Sequence, residues 1–191
     1  MVVRTLQKVS GQRGSSMIEV LVTIVIIAFG LLGLAGLQSR MQVSEMESYQ
    51  RAQALELLND MANRISTNRS AAATYVTTSA VGAGMTCPSA SPSDTLRQTD
   101  DREWCNALQG ASEVASGSKL GAVVGGRGCV DGLGNGEYMI TIAWQGLMPL
   151  SAPPASVTCG QNLYNAATGS ACVNDLCRRT VTTVVRVAPL V

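Results

Sequence analysis

Residues 11–37 read GQRGSSMIEVLVTIVIIAFGLLGLAGL. A short polar leader with basic residues ends in Gly14, and an apolar run follows, with one carboxylate, Glu19, near its start. A secretory signal places its apolar stretch before the cleavage point and loses it on processing. Here the candidate cleavage point, between Gly14 and Ser15, comes first, so processing leaves the apolar stretch as the N-terminus of the mature chain. From Val20 to Leu37 only Thr23 is polar among eighteen residues. As α-helix that run measures about 27 Å, close to the roughly 30 Å core of a bilayer. A run apolar on every side exceeds most core helices of water-soluble domains, so the expectation is a transmembrane helix.

Arg4, Lys8 and Arg13 precede Gly14 and set the orientation: the leader stays cytoplasmic and the remainder lies across the membrane. Glu19 is the odd residue of the segment. A carboxylate costs about 3 kcal/mol at the centre of the hydrocarbon and less near its edge. Cleavage after Gly14 creates a positive α-amine on Ser15, one helical turn away. Between staggered helices, one copy's Glu19 can neutralise the next copy's amine, and a wrong register leaves both charges unpaired. Gly30, Gly33 and Gly36 interrupt the aliphatic run, either as small residues for close helix packing or as a segment that can unwind.

The helix is expected to outlast the membrane. Residues 38–66 contain no proline or glycine. Leu37, Met41, Ser44, Ala52, Leu55, Leu58, Ala62 and Ile65 mostly follow a three-to-four spacing, which leaves Glu45, Glu47, Arg51, Glu56, Asp60 and Arg64 elsewhere. The pattern predicts one helix from Ser15 to about Ser66, roughly 78 Å long, whose second half is amphipathic and needs a sheet to cover one side.

Residues 67–118 show little periodicity and read as a connecting loop, stapled locally by a Cys87–Cys105 disulfide. Later, Tyr138, Ile140, Ile142 and Trp144 alternate with Met139, Thr141, Ala143 and Gln145 over Glu137–Gln145, a period-two pattern of β-formers. Thr180–Val187 repeats it, with Val181, Thr183, Val185 and Val187 on one side. GLGNG at 132–136 reads as a turn introducing the first strand, and a shorter strand is expected near Leu120–Val124. Antiparallel pairing of the two clear strands makes a small sheet for the half-helix. The long connection Gly146–Arg179 needs tying down, which disulfides among Cys129, Cys159, Cys172 and Cys177 supply.

Composition narrows the functional classes. The chain has 191 residues, no histidine and six cysteines, all beyond residue 80. An even cysteine count outside the membrane segment points to disulfides and an oxidising compartment, although six cysteines allow 15 pairings. The formal net charge is +1; without the three basic leader residues 11 basic residues face 13 acidic ones, a net of −2. That balance does not favour nucleic acid. Without histidine, Cys172 and Cys177 with Asp175 between them make a poor metal site. Asp100, Asp101 and Glu103 lack the ligand spacing of a calcium loop and read as a solvated cluster. Gly125-Gly126-Arg127-Gly128 lacks the Lys-Ser/Thr of a phosphate loop. No nucleophile–base pair is evident, so neither an enzyme nor a cofactor is expected.

On Gly14, Ser15 and Glu19 the chain resembles the type IV pilin family, whose members have a basic leader ending in glycine, glutamate as fifth mature residue, and then an apolar helix. The run MIEVLVTIVIIAFGLLGLAGLQ and the later YMITIAWQG are similar to the PilV-type minor pilins. The resemblance implies cleavage between Gly14 and Ser15 by a prepilin peptidase and methylation of the Ser15 amine, although the family usually has phenylalanine there. It also implies an α+β, pilin-like fold: a long N-terminal α-helix packed on a small antiparallel β-sheet, disulfide-stapled, with a disulfide-bounded loop towards the C-terminus. The expected organisation is a cleaved leader at 1–14, a transmembrane and assembly helix at 15–37, its amphipathic continuation at 38–66, and a periplasmic globular domain at 67–191. By the same resemblance the chain is a minor subunit of a bacterial type IV pilus. It is held first in the inner membrane and then in the surface filament, and it helps start assembly and so supports twitching motility and adhesion. Its partners are then other pilins and minor pilins, the prepilin peptidase, inner-membrane lipid and a pilus tip adhesin. The rival readings are a pseudopilin of a type II secretion or DNA-uptake system and a single-span periplasmic binding protein that never polymerises.

Overall fold

The computed structural model describes residues 15–111, 114–115, 118–119, 123–167 and 169–188. Gly14 and the rest of the leader lie outside the described residues, as do the side chains of Ser15 and Ser16. The elements run α1 (Ser15–Thr67), a short 3-10 helix (Arg69–Tyr75), β1 (Val81–Gly82), α2 (Leu96–Leu108), β2 (Val114–Ala115), β3 (Ser118–Lys119), β4 (Arg127–Gly134), β5 (Glu137–Gln145) and β6 (Arg178–Arg186). β1, β4, β5 and β6 form an antiparallel sheet in the order β1-β4-β5-β6, and β2 pairs only with β3. The fold is α+β and pilin-like, as the resemblance implies. The chain divides into two compact units, up to Ser44 and from Glu45 onward, and α1 runs through both.

In the first unit α1 stays helical through Gly30, Gly33 and Gly36. A backbone hydrogen-bond ladder of straight-chain and aliphatic residues tolerates isolated glycines at about 1 kcal/mol each.

In the second unit Ala54, Leu58, Met61 and Ile65 of α1 share one buried cluster with Val130, Ile140, Ile142, Trp144, Val181 and Val187 of the sheet side. The buried stripe of α1 is therefore 54-58-61-65, continued backwards by buried Gln50; Ala52 and Leu55, which the spacing had assigned to the same stripe, are exposed. The two stripes share Leu58 and Ile65 and part before Leu58, where apolar spacing alone does not choose between Ala52 and Ala54. β5 spans the predicted residues and pairs with β6 in an unbroken register from Glu137↔Arg186 to Gln145↔Arg178. Its even side faces the helix cluster. On the other side Ala143 packs with Cys129, Cys159 and Tyr164, so the middle of β5 is covered on both faces.

Three sequence expectations change. The 67–118 stretch is not merely a loop: it holds the 3-10 helix and α2, which opens on a capping box in which Thr95 and Gln98 bond each other's backbone N–H. Residues 132–136 do not simply introduce β5. They end β4, and the tight turn is Asn135-Gly136, both at positive φ (52° and 75°), as a two-residue hairpin demands. Val123 and Val124 lie in a turn, not a strand, and residues 120–122 are outside the described residues. β4 escaped notice because it is glycine-rich. At Gly128 the reason is contact: a Cβ there would fall inside the Trp104 ring.

Candidate functional site

The first unit offers its chemistry on the surface of one helix. Every residue from Met17 to Gln42 is exposed, including the large apolar side chains Ile18, Leu21, Ile24, Ile27, Phe29 and Leu32. An 18-residue window of α1 reaches a mean hydropathy of 2.8, and none of it is buried. Each such side chain left in water forgoes about 1.5–3 kcal/mol of transfer free energy. The described chain supplies no cover for this segment. Thr23, its polar residue, is satisfied locally: its hydroxyl donates to the Val20 carbonyl at 2.8 Å. Glu19 stands exposed on the same helix, one turn after Ser15, whose backbone opens α1. Ideal Cβ atoms at Gly30, Gly33 and Gly36 would meet nothing within 4 Å, so the chain itself does not use these glycines for packing.

The second unit is held by staples that the cysteine count foreshadowed. Cys87 bonds Cys105, Cys129 bonds Cys159, and Cys172 bonds Cys177. The first ties the 3-10-to-α2 segment to α2, as its spacing suggested. The second ties β4 to the connection between β5 and β6, and the third closes a small hook just before β6. At the start of β6, Arg178 is buried, donates to the carbonyls of Val157 (2.7 Å) and Cys159 (3.0 Å) of that connection, and pairs with Asp175 at 3.2 Å. Tyr164 donates to the Gly125 carbonyl at 2.9 Å and lies under the Arg127 guanidinium, 4.9 Å from the ring centre. Burial pushes the Tyr164 phenol above its ordinary pKa. On α1, Glu47 accepts the Leu147 N–H at 2.7 Å and faces Arg179 at 3.4 Å.

Asp100, Asp101 and Glu103 are a paired cluster rather than a solvated one. Arg64 of α1 bonds Asp60 (2.9 Å), Asp100 (2.7 Å) and Glu103 (2.8 Å), and Asp101 pairs with Arg97. Burial works against the Arg64 charge, but its bonds to Glu103, Asp60 and Asp100 outweigh that and raise its pKa. The Tyr75 hydroxyl donates to Asp100 and accepts from Asn68 at 3.0 Å. Burial, and next the Asp100 bond, raise the Tyr75 pKa. Arg64 was missed as a partner because it lies 36 and 39 residues from Asp100 and Glu103; the Asp60–Arg64 and Arg97–Asp101 spacings, each i,i+4, were the local signs.

Residues 9–35 match the family model described as the prokaryotic N-terminal methylation motif. No curated protein and no solved structure matches the chain. The match covers Gly14, Ser15 and Glu19 and most of the apolar run that follows. It supports a type IV pilin-like family and indicates a pilin-like or pseudopilin protein. Together with the uncovered apolar helix it points to membrane anchoring.

Proposed function

We propose that the chain is a minor pilin of a bacterial type IV pilus, a structural subunit and not an enzyme. Prepilin peptidase cuts it between Gly14 and Ser15 and methylates the new amine. The subunit rests in the inner membrane with its disulfide-bonded unit in the periplasm, and then moves sideways into a bundle of pilin helices. Glu19 and a neighbour's Ser15 amine set the register there. By the resemblance, such a subunit helps initiate the filament and so supports twitching motility and adhesion. The observation that carries this reading is the wholly uncovered apolar helix segment within the matched methylation motif.

The test is the mass of the protein recovered from sheared surface filaments. A mature N-terminus at methylated Ser15 is expected; an N-terminus elsewhere overturns the processing step, and absence from filaments overturns the pilus. Pseudopilins share the motif and form the second reading. Recovery only with a secretion or DNA-uptake apparatus, with pili unaffected by deletion, decides for that reading.

A further inference from the structure

β6 is an outer strand of the sheet, and its free side has a definite hydrogen-bonding parity. Gly146 N–H donates to Cys177 O at 2.7 Å and Val187 N–H donates to Gly136 O at 2.8 Å, at the two ends of the β5–β6 ladder. Antiparallel strands exchange bonds at alternate residues, so the odd-numbered residues of β6 bond β5. Thr180, Thr182, Val184 and Arg186 therefore turn their N–H and C=O groups outward. None of these groups has a partner among the described residues, whereas the Arg178 N–H is used by Asp175 O. The strand has no bulge, no proline and no charge between Arg179 and Arg186, the devices that normally blunt an edge.

Beside the C-terminal end of this edge lies a cavity of about 870 Å³, with Arg69, Tyr138, Arg186 and Val187 in its wall and no carboxylate among its lining residues. Arg69 donates to the Ala188 carbonyl at 3.2 Å. Arg186 is 75% exposed and faces Glu137 only at 3.8 Å.

We propose that the β6 edge and this cavity form a docking site for an extended segment of another polypeptide. The segment adds antiparallel to β6 as a further strand, and an acidic side chain near its N-terminal end meets Arg69 and Arg186. A row of outward amides is complemented by another strand's backbone, and the flanking guanidinium groups select the acid. A second copy of β6 fits less well: full antiparallel overlap sets Arg178 opposite Arg186 at both ends, and the strand carries no acid.

The test uses the full chain in detergent micelles and an N-acetylated nine-residue peptide of alternating valine and threonine beginning with aspartate. The peptide is expected to slow amide hydrogen exchange at Thr180, Thr182, Val184 and Arg186 by about tenfold or more, leaving the ladder amides Val181, Thr183 and Val185 unchanged. The same peptide with asparagine should bind about three- to tenfold more weakly, and a chain carrying R69A and R186A should lose that preference. Thr182→Pro removes one outward donor without touching the ladder and should weaken binding of both peptides. Unchanged exchange at millimolar peptide overturns the site, and equal binding of the two peptides overturns the acidic specificity. If the four amides are already slow in the free chain and quicken on dilution, a second copy occupies the edge and the proposal fails.

Discussion

Arg64 on α1 and Asp100 on α2 meet at 2.7 Å across 36 residues of sequence, and Asp100 also takes the Tyr75 hydroxyl bond. One carboxylate thus joins the long helix, the 3-10 helix and α2. Replacing Asp100 by alanine leaves a largely covered guanidinium and a buried phenol short of a partner. The expected loss is about 2–3 kcal/mol, read from thermal or urea unfolding of the oxidised protein. Glu103→Gln, at the exposed end of the same network, should cost at most about 1 kcal/mol.

Gly128→Ala places a methyl group where the Trp104 ring lies. The ring also donates to the Leu57 carbonyl of α1 at 3.0 Å, so it cannot withdraw without loosening the helix. We expect destabilisation of about 1–3 kcal/mol with a shifted tryptophan emission maximum. A neutral result would mean that α2 moves freely over the sheet.

The disulfides should rank by the chain they close. Removing Cys129–Cys159, with a sequence separation of 30, is expected to cost about 3–4 kcal/mol, and removing Cys172–Cys177, with a separation of 5, about 2 kcal/mol. Paired alanine variants compared by urea midpoint test the order.

Stability should fall at alkaline pH. Tyr164, through burial, and Tyr75, through burial and its bond to Asp100, hold their protons above the ordinary value of 10.0. The folded state keeps protons that the unfolded state releases. Their stabilisation is complete below about pH 10 and is lost as pH rises through the folded-state values. Unfolding midpoints between pH 8 and 11.5 should show the decline, and Tyr164→Phe should make it shallower.

Glu19→Gln should leave membrane insertion intact and reduce the amount of the subunit in sheared filaments about tenfold or more, because the buried amine of a neighbour goes unpaired. Fractionation with immunoblotting separates the two steps; equal incorporation would remove Glu19 from register setting.

The parts legible in the sequence were those with a strong period. The apolar block after Gly14, the alternation over Glu137–Gln145 and the cysteine pair Cys87/Cys105 each carry their meaning locally, and the structure realises the helix, strand and staple. What stayed hidden depends on distant neighbours. Gly128 makes sense only under Trp104, Asp100 and Glu103 only beside Arg64, and the register of α1 only against the sheet. α2 was the avoidable miss, since Thr95-Leu96-Arg97-Gln98 spells its own capping box. The apolar character of the first unit was readable because it resides in bare composition rather than in assembled geometry.

None of the three disulfides includes a residue of α1. Considered mechanically, tension entering the second unit along α1 crosses to the sheet through apolar contacts and the Glu47–Arg179 pair, and to α2 through the Trp104–Leu57 bond and the Arg64–Asp100 pair. The covalent staples all lie on the far side of that seam. Under a pull, the sheet and its connections would hold their shape while the helix peels, so the seam acts as the fuse and the stapled part survives to re-dock when tension is released.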